Sequence, residues 1–89
     1  MRLVSQDNLV DIPYEQIFLA LRLYKATNRY EILAKSLVDG STLARMGIYS
    51  SIEKCTEIMN TLAVYYTDGF CTVFVFPKDS KPEETTDES

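Results

Sequence analysis

The sequence predicts an α+β fold: an antiparallel sheet of about five strands with one amphipathic helix packed on one face. Three observations predict it. Residues 49–63 carry apolar groups at steps of three and four behind a serine, the pattern of a capped, one-sided helix. Several short β-prone runs precede that stretch, and residues 70–76 follow it as the most β-prone segment of the chain. A one-sided helix needs a surface to cover, and the strands supply it.

Size and charge set the frame. A chain of 89 residues with 46% hydrophobic content forms one domain, assigned to residues 1–77, whose single core gives modest stability without partners. The remainder, residues 78–89, is rich in Pro, Ser, Thr and acid and reads as a disordered acidic tail. The formal charge of −4 divides unevenly: residues 1–77 hold seven Lys/Arg against eight Asp/Glu, and residues 78–89 hold two against five. A nearly neutral body lacks the concentrated basic surface of a nonspecific nucleic-acid binder, so no nucleic-acid partner is expected. There is no uncharged apolar run of about 18 residues. Ser5, Gln6, Asp7 and Asn8 break the start where a signal peptide would be apolar. A soluble, cytoplasmic protein with no membrane partner is expected.

The elements follow in order. Residues 1–5 and 9–12 are β-prone and separated by Gln6, Asp7 and Asn8, which suit a tight turn, so a small opening hairpin is expected. Pro13 then leads the chain away from it. Residues 17–24 place Ile17, Leu19, Leu21 and Leu23 on one strand face and Phe18, Ala20, Arg22 and Tyr24 on the other. Their Leu and Ala content also suits a helix. Residues 30–38 read as the return strand, with Glu31 and Lys35 on its polar face, and Asp39-Gly40 marks a hairpin into residues 42–49.

Ser50 and Glu53 have the spacing of a capping box. Ile52, Cys55, Ile58, Met59, Leu62 and Tyr66 form the stripe behind it, and Gly69 can close the helix near Tyr65 or Tyr66. The last strand has apolar groups on both faces: Phe70, Phe74 and Phe76 on one, Cys71, Val73 and Val75 on the other. One helix covers one face, so the sequence predicts a homo-oligomer whose interface uses Phe70, Phe74 and Phe76, with core packing as the plainer alternative. Cys55 and Cys71 lack metal-ligand or redox spacing and read as buried free thiols.

Catalytic signals are sparse. Histidine is absent, which excludes an imidazole base, a Ser/His/Asp triad and a His-ligated metal. No Walker, GxGxxG or GxSxG string occurs, and no EF-hand pattern, so neither an enzyme nor a cofactor or metal site is expected. Binding an anionic, nucleotide-like ligand calls for guanidinium groups and aromatic faces. With the strands paired as above, Arg22 and Arg45 fall on the face opposite the helix, and Tyr24 and Phe18 join them as candidate ligand-binding residues. The plainer alternative is an exposed sheet face whose arginines pair with Glu31 or solvent.

The opening Met1-Arg2-Leu3-Val4-Ser5-Gln6-Asp7, the segment Asp11-Ile12-Pro13-Tyr14-Glu15, the stretch from Leu43-Ala44 to Tyr49-Ser50-Ser51-Ile52-Glu53-Lys54, and the late Phe74-Val75-Phe76-Pro77 are similar to small proteins of phages and prophages of low-GC Gram-positive bacteria. That group in turn resembles the phage sponge proteins that counter the Thoeris defence system by binding a cyclic ADP-ribose-type signal without cleaving it. The resemblance implies a non-catalytic, phage-encoded protein of the host bacterial cytoplasm that sequesters a cyclic nucleotide-like small molecule. It supplies no binding residue, since this chain is shorter than the sponges and has one helix. A module that inhibits a host or phage protein by direct docking is the alternative.

Overall fold

The computed structural model describes residues 1–69 and 72–79. They form an α+β fold with six strands and one α-helix. The strands make two three-stranded sheets, where the sequence predicted one sheet of five. β1 (Arg2–Val4) pairs antiparallel with β2 (Asp11–Pro13), Leu3 opposite Ile12, as the opening hairpin requires. Its turn closes on side chains. Ser5 Oγ donates to Asp7 at 2.5 Å, the Leu9 N–H donates to the same carboxylate oxygen, and the Val10 N–H donates to Ser5 Oγ. Asn8 takes the left-handed conformation that its short polar side chain tolerates, with φ of 66°.

A 3₁₀ turn (Tyr14–Gln16) delivers the chain to β3 (Ile17–Tyr24), a strand and not the alternative helix. β3 pairs antiparallel with β4 (Arg29–Ser36), and β4 with β5 (Thr42–Tyr49). Gly40 has the positive φ, 74°, that the Asp39-Gly40 turn predicts. β5 is bulged twice against β4 while β4 runs without interruption.

Gln6 joins the two sheets. Its N–H donates to the Met46 carbonyl at 2.7 Å and its Oε1 accepts from the Ile48 N–H at 3.1 Å. Its Nε2 donates to the carbonyls of Ile48 and Pro77, each at 3.2 Å. One side chain therefore occupies the outer edge of β5 where a neighbouring strand would lie. The strands divide into two sheets where the chain leaves β1 at Ser5 and Gln6, in place of a strand, bonds the edge of β5.

The helix α1 (Ile52–Asp68) is capped one residue later than the Ser50–Glu53 box predicted. Ser51 is the N-cap and its Oγ accepts from the Lys54 N–H at 3.2 Å. The Ser50 N–H is taken by Asp79, at 3.0 Å, so Ser50 is not available to lead the helix. Lys54, not an acid, then occupies the position that would complete a box. At the far end Gly69, with φ of 70°, donates its N–H to the Tyr65 carbonyl, the predicted left-handed stop. Cys55, Ile58 and Leu62 are buried and Met59 packs against them. Ile52 and Tyr66, predicted on the same stripe, are about half exposed at its two ends, and Tyr66 rests edge-on against Tyr14.

The final strand is shorter than predicted. β6 (Val73–Val75) pairs in parallel with β1, Leu3 opposite Phe74. Phe74 and Phe76, expected at a subunit interface, instead follow the core-packing alternative. They are buried in the core, 5.4 Å apart and perpendicular, with the Tyr65 ring against Phe74. Their alternation is that of an edge strand with one face on the core, and the other face, Val73 and Val75, is exposed. Phe70 and Cys71 lie outside the described residues, as do residues 80–89 of the predicted tail. Lys78 and Asp79, also assigned to that tail, are described, and Asp79 holds the Ser50 N–H.

The core runs from Leu3, Phe74 and Phe76 through Ile32, Ala34 and Met46 to Cys55, Ile58 and Leu62. Tyr49 closes it. Its ring lies over Gly47, where an added Cβ would come within 2.6 Å of ring carbon, and its hydroxyl donates to the Pro77 carbonyl at 2.6 Å. Burial pushes the phenol well above its ordinary pKa, keeping it a donor. All these contacts lie on one side of β3–β4–β5. Leu33 is buried yet belongs to no part of this core, because it points to the other side, which no described element covers.

Candidate functional site

That uncovered side is built by strand alternation. β3 contributes Phe18, Ala20, Arg22 and Tyr24, and the register sets them opposite Lys35, Leu33, Glu31 and Arg29 of β4. β5 adds Arg45, opposite Leu33, and Ile48, opposite Glu31, with Met46 as the bulged residue between. The bulge matters here. Without the extra residue, Arg45 and Ile48 would fall on opposite faces of β5.

Glu31 is the centre of the face, and it is buried to 3% exposure although it lies on the open side. Arg22 Nε donates to its Oε1 at 2.8 Å, and Arg45 donates to its Oε2 at 3.2 Å. A second nitrogen of Arg22 lies 2.7 Å from the same Oε1. The two guanidinium groups cover the carboxylate while staying about half exposed themselves. Desolvation pushes the Glu31 pKa up, but the hydrogen bonds and charges of Arg22 and Arg45 outweigh it, so the carboxyl is held below its ordinary value. The carboxylate stays ionised and fixes both arginines in place.

Each guanidinium carries five N–H groups, so this pairing leaves donors on both that are directed at solvent. The cluster is net positive, one carboxylate against two guanidiniums. With Lys35 it makes a cationic patch on a chain whose formal charge is −4. Phe18 and Tyr24, 41% and 42% exposed, stand along the same row of β3. Arg29, at the end of β4, instead reaches Asp79 at 3.7 Å.

The structure thus brings Arg22 and Arg45 together and sets Tyr24 and Phe18 on their face, the grouping the sequence predicted. It adds Glu31, which the sequence reading placed on a polar strand face, and Lys35. A signal for Glu31 was present: in a hairpin closed by the loop at residues 25–28, positions 22 and 31 are equidistant from the turn and must face each other. The remaining chemistry is muted. No group of three metal-ligating side chains occurs among the described residues. Burial raises the Cys55 thiol pKa, which keeps it protonated and a poor nucleophile. No helix is long and apolar enough to cross a membrane among the described residues.

Compared with known proteins, the chain matches no family model, no curated protein and no solved structure.

Proposed function

We propose that this is a non-catalytic binding protein that takes up an anionic, nucleotide-type small molecule on the open face of β3–β4–β5. The observation that carries the reading is the pair Arg22 and Arg45, converging on buried Glu31 with exposed donors, beside Tyr24 and Phe18 on one uncovered sheet face. Guanidiniums held in place beforehand lose little freedom when they bind a phosphate, and aromatic faces beside them accept a base by stacking. A cyclic ADP-ribose-type signal offers both groups. The resemblance of the opening residues to phage proteins supplies the setting, a phage-encoded sponge that withdraws such a signal from host defence in the bacterial cytoplasm.

Thermal-shift titration of the full chain with cyclic ADP-ribose isomers and cyclic dinucleotides tests it. Saturable stabilisation is expected, with the ligand recovered intact after denaturation. A flat response across the panel would reject the reading. Direct docking on a host or phage protein is the second reading. It is favoured by the outer side of α1, where half-exposed Ile52, Val64 and Tyr65 border a shallow groove of about 750 Å³.

A further inference from the structure

The outer edge of β3, the outer strand of its sheet, is unpaired among the described residues. The hydrogen bonds at the end of β4 show which of its residues meet that edge. The Ser36 N–H donates to the Ser41 carbonyl and the Ser36 carbonyl accepts from the Gly40 N–H, so Ser36 turns its backbone toward β5. Alternation then turns Glu31, Leu33 and Lys35 toward β3, where they meet Arg22, Ala20 and Phe18. Leu19, Leu21 and Leu23 therefore present their N–H and C=O groups outward.

Solitary edge strands are normally blunted by proline, a bulge, short length or an outward charge. β3 has none of these. It is eight residues long, contains no proline, and keeps unbroken register with β4. Its one charged residue, Arg22, is drawn inward onto Glu31. Phe18, Leu21, Leu23 and Tyr24 are each between 37% and 42% exposed.

We infer that the protein forms a two-fold dimer by antiparallel pairing of β3 with β3 of a second copy, Leu21 opposite Leu21. This register satisfies three conditions together. The outward backbone groups of Leu21 exchange both hydrogen bonds across the two-fold, and those of Leu19 meet Leu23 of the partner copy. On the open face Phe18 falls opposite Tyr24 of the partner copy at both ends, a favourable aromatic cross-strand pair. Arg22 falls opposite Ala20 of the partner copy, so no like charges meet. On the other face exposed Leu21 and Leu23 extend the apolar surface outward from Leu19, which packs against the core. The pairing makes a continuous six-stranded sheet with both Arg22–Glu31–Arg45 clusters on the same side. It does not depend on the ligand proposed above.

Analytical ultracentrifugation of the full chain reads the assembly: twice the 10.2 kDa chain mass is expected at high micromolar concentration. Register is read by cysteine cross-linking in a Cys71→Ser background. Leu21→Cys should oxidise to an intermolecular disulfide, since opposed residues of a hydrogen-bonded pair have Cα atoms about 5.5 Å apart. Leu23→Cys, facing a leucine, should not. Hydrogen exchange on the unmodified chain needs no variant: the Leu21 amide should gain protection as concentration rises. A monomer throughout the range, equal cross-linking of the two cysteine variants, or a Leu21 amide whose exchange ignores concentration would each overturn the pairing.

Discussion

Removing the two arginines should cost far more stability than removing the glutamate, because the glutamate is buried and the arginines are not. Glu31 is 3% exposed, whereas Arg22 and Arg45 are about half in water. Arg22→Ala deletes the closer contacts and should cost about 2 kcal/mol, and Arg45→Ala, whose bond is 3.2 Å long, about 1 kcal/mol. The double variant leaves a buried carboxylate without a cation and should cost about 4–5 kcal/mol, more than the sum of the two single losses. Glu31→Leu frees two guanidiniums that water already reaches, and should stay within about 1 kcal/mol of wild type.

The pH dependence carries the sign. In the wild type the folded-state pKa of Glu31 lies below its ordinary 4.5, so this group contributes stability above that pH and loses it as pH falls through the lowered value. In the double variant desolvation acts without the arginines and the folded-state pKa rises. Glu31 then destabilises the fold above its ordinary pKa, and the penalty disappears as the group protonates on acidification. Urea unfolding of wild type and double variant from pH 7 to pH 4 measures the difference, which should shrink steadily toward the acid end. A double variant no worse than Glu31→Leu, or a difference independent of pH, would refute the buried, arginine-covered carboxylate.

Other consequences follow from the scaffold. Ser51→Ala should lower stability by about 1 kcal/mol in urea unfolding, and Ser50→Ala, which gives up only a long 3.5 Å hydroxyl bond to Asp79 and keeps the N–H bound there, should cost less. Gln6→Ala removes two partly buried bonds on the edge of β5 and an exposed one to Pro77, for a loss of about 2 kcal/mol by the same assay. Gly47→Ala forces the Tyr49 ring off its seat and should cost about 2 kcal/mol, visible as a lower melting temperature and altered near-ultraviolet dichroism.

Local patterns were legible in the sequence where the physics is local. The alternation of residues 17–24, the Asp39-Gly40 turn, the Gly69 stop and the Cys55–Ile58–Leu62 stripe depend on near neighbours and are found as read. Failures arose where a distant residue decides. Ser50 was read as the cap because Asp79, 29 residues away, is invisible to a local pattern. The single sheet became two where Gln6 substitutes side-chain amide for strand at the edge of β5. Phe74 and Phe76 were placed at an interface because apolar groups on both faces of a strand look alike whether one face or two are covered; the parallel partner β1 and the ring of Tyr65 settle which. The candidate face was legible as far as Arg22, Arg45, Tyr24 and Phe18. Its centre, Glu31, looked like surface because a single strand does not show that two arginines from neighbouring strands lie over it.

The central claim is that this face holds an anionic nucleotide-type ligand. Titrating isotopically labelled protein with cyclic ADP-ribose isomers and cyclic dinucleotides, and mapping the backbone amide shifts, tests it most directly. The account predicts saturable shifts concentrated at Arg22, Tyr24, Glu31 and Arg45, and their loss in Arg22→Ala. Shifts confined to the outer face of α1, or none at any ligand concentration, would contradict it.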